Sequence, residues 1–358
     1  MPNWVYNRID GFTPEMFEKY KGEGTDFDFN KLIPMPEELL DMPSGTYADE
    51  ARDIHEYKIT KSDSSDSFLY TTRLNSRFNK HIERVYNTAG QIALANPDKT
   101  MNQILDEFKA SEPDHDNGSH VYYGSYKQQF ADDVENLRTI TGRYDCKTHN
   151  SVPHINDRNK ETYPEKHEIL DRYCEYLEKD YTKYREIQFK REKNNEKYVD
   201  KSVYQSDSLT DLGNKLAENK EKHGFDNWYD WRLANWGCKW DASDAEFDQG
   251  SNEMRFDTAW SVPEPILAKL QEENPDAKFH IYSEEETGWW NEYETKDDSK
   301  LHLVATGQYE YKENEDGDYE QVSDGRENKD IVMDYEKVRQ DNIDETNRFN
   351  NYRFFDYR

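Results

Sequence analysis

The chain has few apolar residues and few bases. Of its 358 residues only 34% are hydrophobic, and 47 Lys and Arg stand against 76 Asp and Glu, a formal net charge of -29. Such a chain repels phosphate polyanions and anionic membranes on average, which argues against direct nucleic-acid or membrane binding. No run approaches the ~18 apolar residues of a membrane span, and Met1-Pro2-Asn3-Trp4 lacks the basic start and apolar stretch of a secretion signal. A soluble cytoplasmic protein is expected. Cysteine is scarce as well. Cys146, Cys174 and Cys238 are odd in number and far apart, with no CxxC pair for zinc or thiol exchange, which fits a reducing compartment.

Catalytic signatures are missing too. No GxGxxG, Walker A, HExxH or GxSxG pattern occurs, so dinucleotide, P-loop, zincin and α/β-hydrolase chemistry have no support. His115 with His120 and His149 with His154 flank polar loops, without Cys or further His at zinc-ligand spacing. Asn314, Asp316 and Gly317 suggest a calcium loop, but that frame puts Lys312 and Ser323 where the first and last carboxylates belong. Asp316-Gly317 reads instead as a hairpin turn. No cofactor is expected.

What the chain does have is aromatic. Its 26 Tyr, 16 Phe and 8 Trp bury so much area per ring that a folded, Tyr-rich core is expected despite the low apolar fraction. Trp4 to Ile9 reads as a strand, and Thr13-Pro14 as a helix N-cap followed by Pro at the first helical position. Phe27, Phe29 and Leu32 read as an extended piece before Ile33-Pro34-Met35-Pro36, and Pro36 as the start of a short helix through Leu40. The segment Lys61 to Ser67 reads as an exposed loop.

Helical spacing then dominates. Leu74, Phe78, Ile82, Val85, Ala89 and Ala93 form one stripe; Thr100 with Gln103 makes a capping box; Tyr126, Phe130, Val134 and Leu137 form another. Leu170, Tyr173, Leu177, Tyr181 and Tyr184 line a helix over Pro164 to Lys193. Asp226 is placed to cap a helix carrying Trp228, Trp231 and Leu233 that ends at a left-handed Gly237. Trp240 to Phe247 and Met254 to Trp260 predict a hairpin, and Ser261 with Glu264 a capping box. Phe279 to Ser283, Trp289 to Tyr293, Leu301 to Thr306 and Tyr309 to Lys312 read as further strands. Buried packing is the default for Trp4, Trp236, Trp240 and Trp260.

This order predicts an α+β, ferredoxin-like antiparallel sheet with helices on one face and a large helical insertion. The expected division is 1–44 with 225–322 for the sheet domain, 45–224 for the insertion, and 323–358 for an acidic-to-aromatic tail.

Four segments carry a family resemblance: Met1 to Arg8 (MPNWVYNR), Phe27 to Leu39 (FDFNKLIPMPEEL), Trp228 to Ala242 (WYDWRLANWGCKWDA) and Phe256 to Ser261 (FDTAWS). In order and in their Trp, Asn and Pro clusters they resemble the YubB-type ferredoxin-like family carried by phages and plasmids. The resemblance covers about 1–40 and 225–295, with Cys238 where Thr and Val262 where Pro is usual. It implies a ferredoxin-like fold and a mobile-element origin, and brings no catalytic residues.

Three functional readings follow. Pro275-Asp276 with Glu294-Thr295-Lys296 matches a metal-nuclease pattern, yet Pro97-Asp98 with Glu107-Phe108-Lys109 and Glu310-Tyr311-Lys312 match as well, as chance predicts in so acidic a chain. The stronger signal is charge. Asp241 to Glu345 holds about 31 acids and about 10 bases, roughly -21, the charge of about ten base pairs of DNA. The expected function is therefore that of a phage or plasmid accessory protein, a host-defence inhibitor that binds a host protein with a basic nucleic-acid-binding surface through an acidic, nucleic-acid-mimicking surface. Candidate contacts are Glu284, Glu285, Glu286, Asp297, Asp298, Glu315, Asp316 and Asp318. The alternatives are the nuclease, and an interaction module that binds through its Tyr-rich helical insertion.

Overall fold

A computed structural model of the chain describes residues 3–61, 73–96, 98–111, 126–141, 163–313 and 319–355. The chain divides into two compact units, Met1–Leu40 with Lys222–Phe354, and Asp41–Glu221 with Phe355–Arg358. His115, His120, Cys146, His149, His154, Glu315, Asp316 and Asp318 lie outside the described residues, as do Ser62 to Ser67.

The first unit is mixed α/β. Its strands are β1 (Trp4–Asp10), β2 (Ser243–Asp248), β3 (Glu253–Ala259), β4 (His280–Glu285), β5 (Trp289–Thr295), β6 (Leu301–Gln308), β7 (Glu310–Glu313), β8 (Tyr319–Ser323) and β9 (Glu327–Val332). Seven of them form one antiparallel sheet in the order β2-β3-β1-β4-β5-β6-β9, and β7 pairs with β8 separately. Alternation along β1 fixes the faces: Val5, Asn7 and Ile9 are buried, while Tyr6, Arg8 and Asp10 point the other way. The buried face carries α1 (Pro14–Tyr20), α8 (Trp228–Trp236), α9 (Glu264–Glu273) and α10 (Tyr335–Phe355). Met16, Tyr20, Trp231, Trp236, Ile266, Leu270 and Val338 from these helices share one core with Ile9, Phe256, Ile281 and Tyr293 of the sheet.

Asn7 is the polar centre of that core and is fully buried. Its Nδ2 donates to Thr258 Oγ1 on β3 at 3.0 Å and to Val5 O at 3.0 Å, and its Oδ1 accepts from Ser283 Oγ on β4 at 2.8 Å. One amide thus ties three strands far apart in sequence, and each buried partner is satisfied.

Local chemistry explains where the elements depart from expectation. Phe27 to Leu32 is not extended, because the Asp28 carboxylate accepts from Asn30 N and folds Phe29–Lys31 into a 3-10 turn. Asn227, not Asp226, caps α8 by accepting from Asp230 N at 3.0 Å. Ser261 and Glu264 make no capping box: the Ser261 hydroxyl donates to Gly237 O, and Glu264 is taken by the Tyr293 hydroxyl at 2.8 Å. Trp236 is fully buried and donates to Ile33 O, with Gly237 left-handed behind it. Trp4 and Trp240 are half-buried, 6.0 Å apart, and Trp260 is 54% exposed, so these three do not join the core as Trp236 does. The segment after residue 323 is not a plain tail but holds β9 and α10.

The second unit is helical: α2 (Thr46–Thr60), α3 (Arg73–Ala95), α4 (Met101–Ala110), α5 (Tyr126–Thr141), α6 (Tyr163–Lys193) and α7 (Leu209–His223). Thr100 and Gln103 form the reciprocal capping box of α4. The stripes of α3, α5 and α6 converge on one core, in which Phe78, Val134, Leu170, Tyr173 and Tyr181 are buried. The Tyr181 hydroxyl donates to Ser206 O, so this ring carries its polar end satisfied into the interior.

Removing the side chain of Asn7 leaves the Ser283 and Thr258 hydroxyls without it. Asn7→Ala is expected to destabilise the protein by about 1–3 kcal/mol in urea unfolding. An unchanged midpoint would show that the amide is not what registers β1.

Candidate functional site

The described sequence-predicted acids fall into two groups. Glu284 and Glu285 end β4 and Glu286 begins the turn into β5, whereas Asp297 and Asp298 lie in the turn after β5. A strand of that length separates the two groups by about 20 Å. Glu284 points to the helix-free face and accepts from the Tyr282 hydroxyl; Glu285, its neighbour, points to the helix side and accepts from Asn3 Nδ2 and Thr287 Oγ1. Asp298 accepts a hydrogen bond from the backbone N–H of Lys300 and lies 3.1 Å from His302 Nε2. Glu286 and Asp297 make no ion pair among the described residues.

The helix-free face carries a cross-strand charge network. Register sets Asp10, His280 and Glu294 side by side on β1, β4 and β5, with Arg8, Tyr282 and Glu292 in the next row. His280 Nδ1 lies 3.2 Å from Asp10 and its Nε2 lies 2.8 Å from Glu292, which also accepts from Arg326 at 2.7 Å. Burial alone would lower the pKa of His280, but its bonds to Glu292 and Asp10 outweigh that and raise it. Burial pushes Glu292 the other way, and His280 and Arg326 together hold it below its ordinary value.

His280, Glu292 and Glu294 bring one ligand atom each within 4.8 Å of one another, the spacing a metal ion needs. Two features favour an ion-pair network over a metal centre. Both imidazole nitrogens already face carboxylates, and the Arg326 guanidinium sits where it would repel a dication. The nuclease pattern is also rearranged: Glu294 gathers with His280 and Glu292 and not with Asp276, while Lys296 is paired with Asp330 at 2.6 Å.

The other face of the same strands borders a cavity of about 540 Å³. Val5, Ser283 and Asn291 form its floor, and Leu233 of α8 with Asn342 and Thr346 of α10 line it from above. Tyr229, Trp260 and Trp289 contribute rings, and Glu264, Glu285 and Glu345 contribute carboxylates. Among the described residues, none that lines it is basic. Glu264 is held above its ordinary pKa by burial, with the Tyr293 hydroxyl opposing. Trp260 reaches its place through a left-handed backbone, φ 77°, pinned by its N–H to Asn3 O at 2.9 Å.

Comparison of the chain with protein-family models, with curated proteins and with solved structures finds no match.

Sequence reasoning missed His280, Glu292, Trp289 and the exposure of Trp260. Alternation along β4 and β5 was a usable signal for the first two, but which strands lie side by side was not readable. Both Trp260 and Trp289 flank tight backbone features, the positive φ of Trp260 itself and the left-handed Gly288 before Trp289.

The network sets a pH dependence. A histidine raised above its ordinary 6.5 contributes stability that is complete below that value and is lost as pH rises through the folded pKa. A carboxyl lowered from 4.5 contributes stability that is complete above that value and is lost as pH falls. The stability difference between the native protein and His280→Gln is therefore expected to be larger at about pH 5.5 than at about pH 8 in thermal unfolding. Equal differences at the two pH values would mean that His280 stays neutral in the fold.

Proposed function

We propose that the chain is a phage or plasmid accessory protein whose first unit is a ferredoxin-like domain, and that it works by binding a protein with a basic nucleic-acid-binding surface. The order β2-β3-β1-β4, with α1 after β1 and α9 between β3 and β4, supports the fold part of the proposal, because this is the split βαβ arrangement. One observation carries the functional part. In Asp241 to Glu345 about 31 acids outnumber about 10 bases. Several of those bases, among them Lys269, Lys296, Arg326 and Lys329, are already paired within the unit.

The carboxylates are spread along both sheet ends and not gathered at one point. That distribution suits a phosphate-like field: about 20 Å of B-DNA axis carries roughly twelve charges. Host-defence inhibition is the physiological form of this reading, resting on the family resemblance. Binding through the Tyr-rich helices is less favoured, since Tyr173 and Tyr181 are buried in the core of their own unit.

A surface acting by summed charge speeds association and weakens with salt. Combined reversal of Glu284, Glu285, Glu286, Asp297 and Asp298 to Lys is expected to slow association with a captured partner by about tenfold or more, while any single Ala changes it little. Duplex DNA should compete for the same partner. A partner that stays bound at high salt, ignores DNA and is lost when residues 45–225 are removed would overturn the proposal.

A further inference from the structure

The charge reading treats the unit as a smooth polyanion, yet the cavity on the helix side of the sheet has a more specific make-up. Glu264 accepts one hydrogen bond, from Tyr293, and no base pairs with it among the described residues. Glu264 is partly buried in the first turn of α9 and faces the cavity, where a carboxylate without an ion pair favours an incoming cation. Glu285 and Glu345 also lack an ion pair among the described residues. The same cavity exposes two indoles, Trp260 at 54% and Trp289 at 50%, and neither takes part in a ring or cation contact among the described residues. Two other lining rings already carry protein cations: Lys239 lies over Tyr229 at 5.7 Å and Arg326 over Trp290 at 5.5 Å.

We infer that this cavity is a binding site for one organic cation, a guanidinium or ammonium group on an apolar stem. Glu264 supplies the nearest counter-charge, Glu285 and Glu345 add to the field, and the faces of Trp260 and Trp289 take the stem and the cation by the attraction of a positive charge to a ring. A volume of about 540 Å³ admits such a group with room for part of its carrier. Large side chains rarely hold a left-handed backbone, and its cost persists only where surrounding contacts fix it. At Trp260 the strain places a large ring at the cavity in a position that packing alone would fill with glycine.

The inference rests on the reading of this unit as a binder of basic partners, and supplies the anchor: an arginine or lysine side chain of the partner. A free alkylguanidinium has the same chemistry, and the test separates the two. Protein labelled with 5-fluorotryptophan gives one ¹⁹F resonance for each of its 8 tryptophans, assigned here by Trp260→Gly and Trp289→Leu. It is titrated with agmatine, with acetyl-Gly-Arg-Gly-amide and with pentylurea, an uncharged relative.

The Trp260 and Trp289 resonances are expected to move with both cationic probes at millimolar concentration and not with pentylurea. Glu264→Gln, which can still accept from Tyr293, should weaken both cations about tenfold, the loss of one charged anchor. Trp260→Gly should abolish the response while unfolding no earlier than the native protein, because glycine is at ease at φ 77°. That combination separates a binding role from a structural one. Response to agmatine alone keeps the cation site and assigns it to a free small molecule. Equal response to pentylurea, or no response to any probe, overturns the inference. If that occurs while a partner is still captured in a salt- and DNA-sensitive way, the site fails and the charge reading stands.

Discussion

Everything in the first unit hangs on the placing of β1 between β3 and β4. A strand from the start of the chain can lie there only if its polar centre is satisfied, and Asn7 does this through Thr258 on one side and Ser283 on the other. More than two hundred residues intervene between β1 and its partners, so closing the sheet carries a loop-entropy cost that grows slowly with length. That slow growth is why a whole helical unit can be inserted between α1 and α8 without dissolving the sheet. The buried amide adds register: a slip by one residue would turn Asn7 to the open face and Tyr6 or Arg8 into the core.

Once β1 is fixed, the two faces of the same strands acquire opposite characters. Residues that alternate with the core ones, Asp10, His280, Glu292 and Glu294, meet on the helix-free face and neutralise one another in part. On the helix side, at the end where β4 turns into β5, the covering helices leave a cavity whose described lining has carboxylates but no base. The carboxylates beside His280 and Arg326 are paired, whereas Glu264, Glu285 and Glu345 at the cavity have no ion pair among the described residues.

Much of the architecture was legible because its signals are local. Periodicity marked the stripes of α3, α5 and α6, the Thr100 and Gln103 box marked the start of α4, and Gly237 marked the end of α8. The failed capping box before α9 has a tertiary cause: each side chain chose a distant partner over a local one. Ser261 donates to Gly237 O, and Glu264 turns to Tyr293, so a capping box drawn from spacing did not form. Trp260 and Trp236 look alike in sequence, yet one lies at the surface on a left-handed backbone and the other is buried with its indole donating to Ile33 O.

By itself the sequence determined the excess of acid, the alternation of sheet and helix segments, and the scarcity of catalytic motifs, since composition and short-range periodicity do not depend on how distant segments meet. Only the tertiary structure decided which carboxylates are neutralised and which are not. His280 finds Asp10 across 270 residues and Glu264 finds no base among the described residues, and both outcomes depend on strand register and helix placement, which no local pattern encodes.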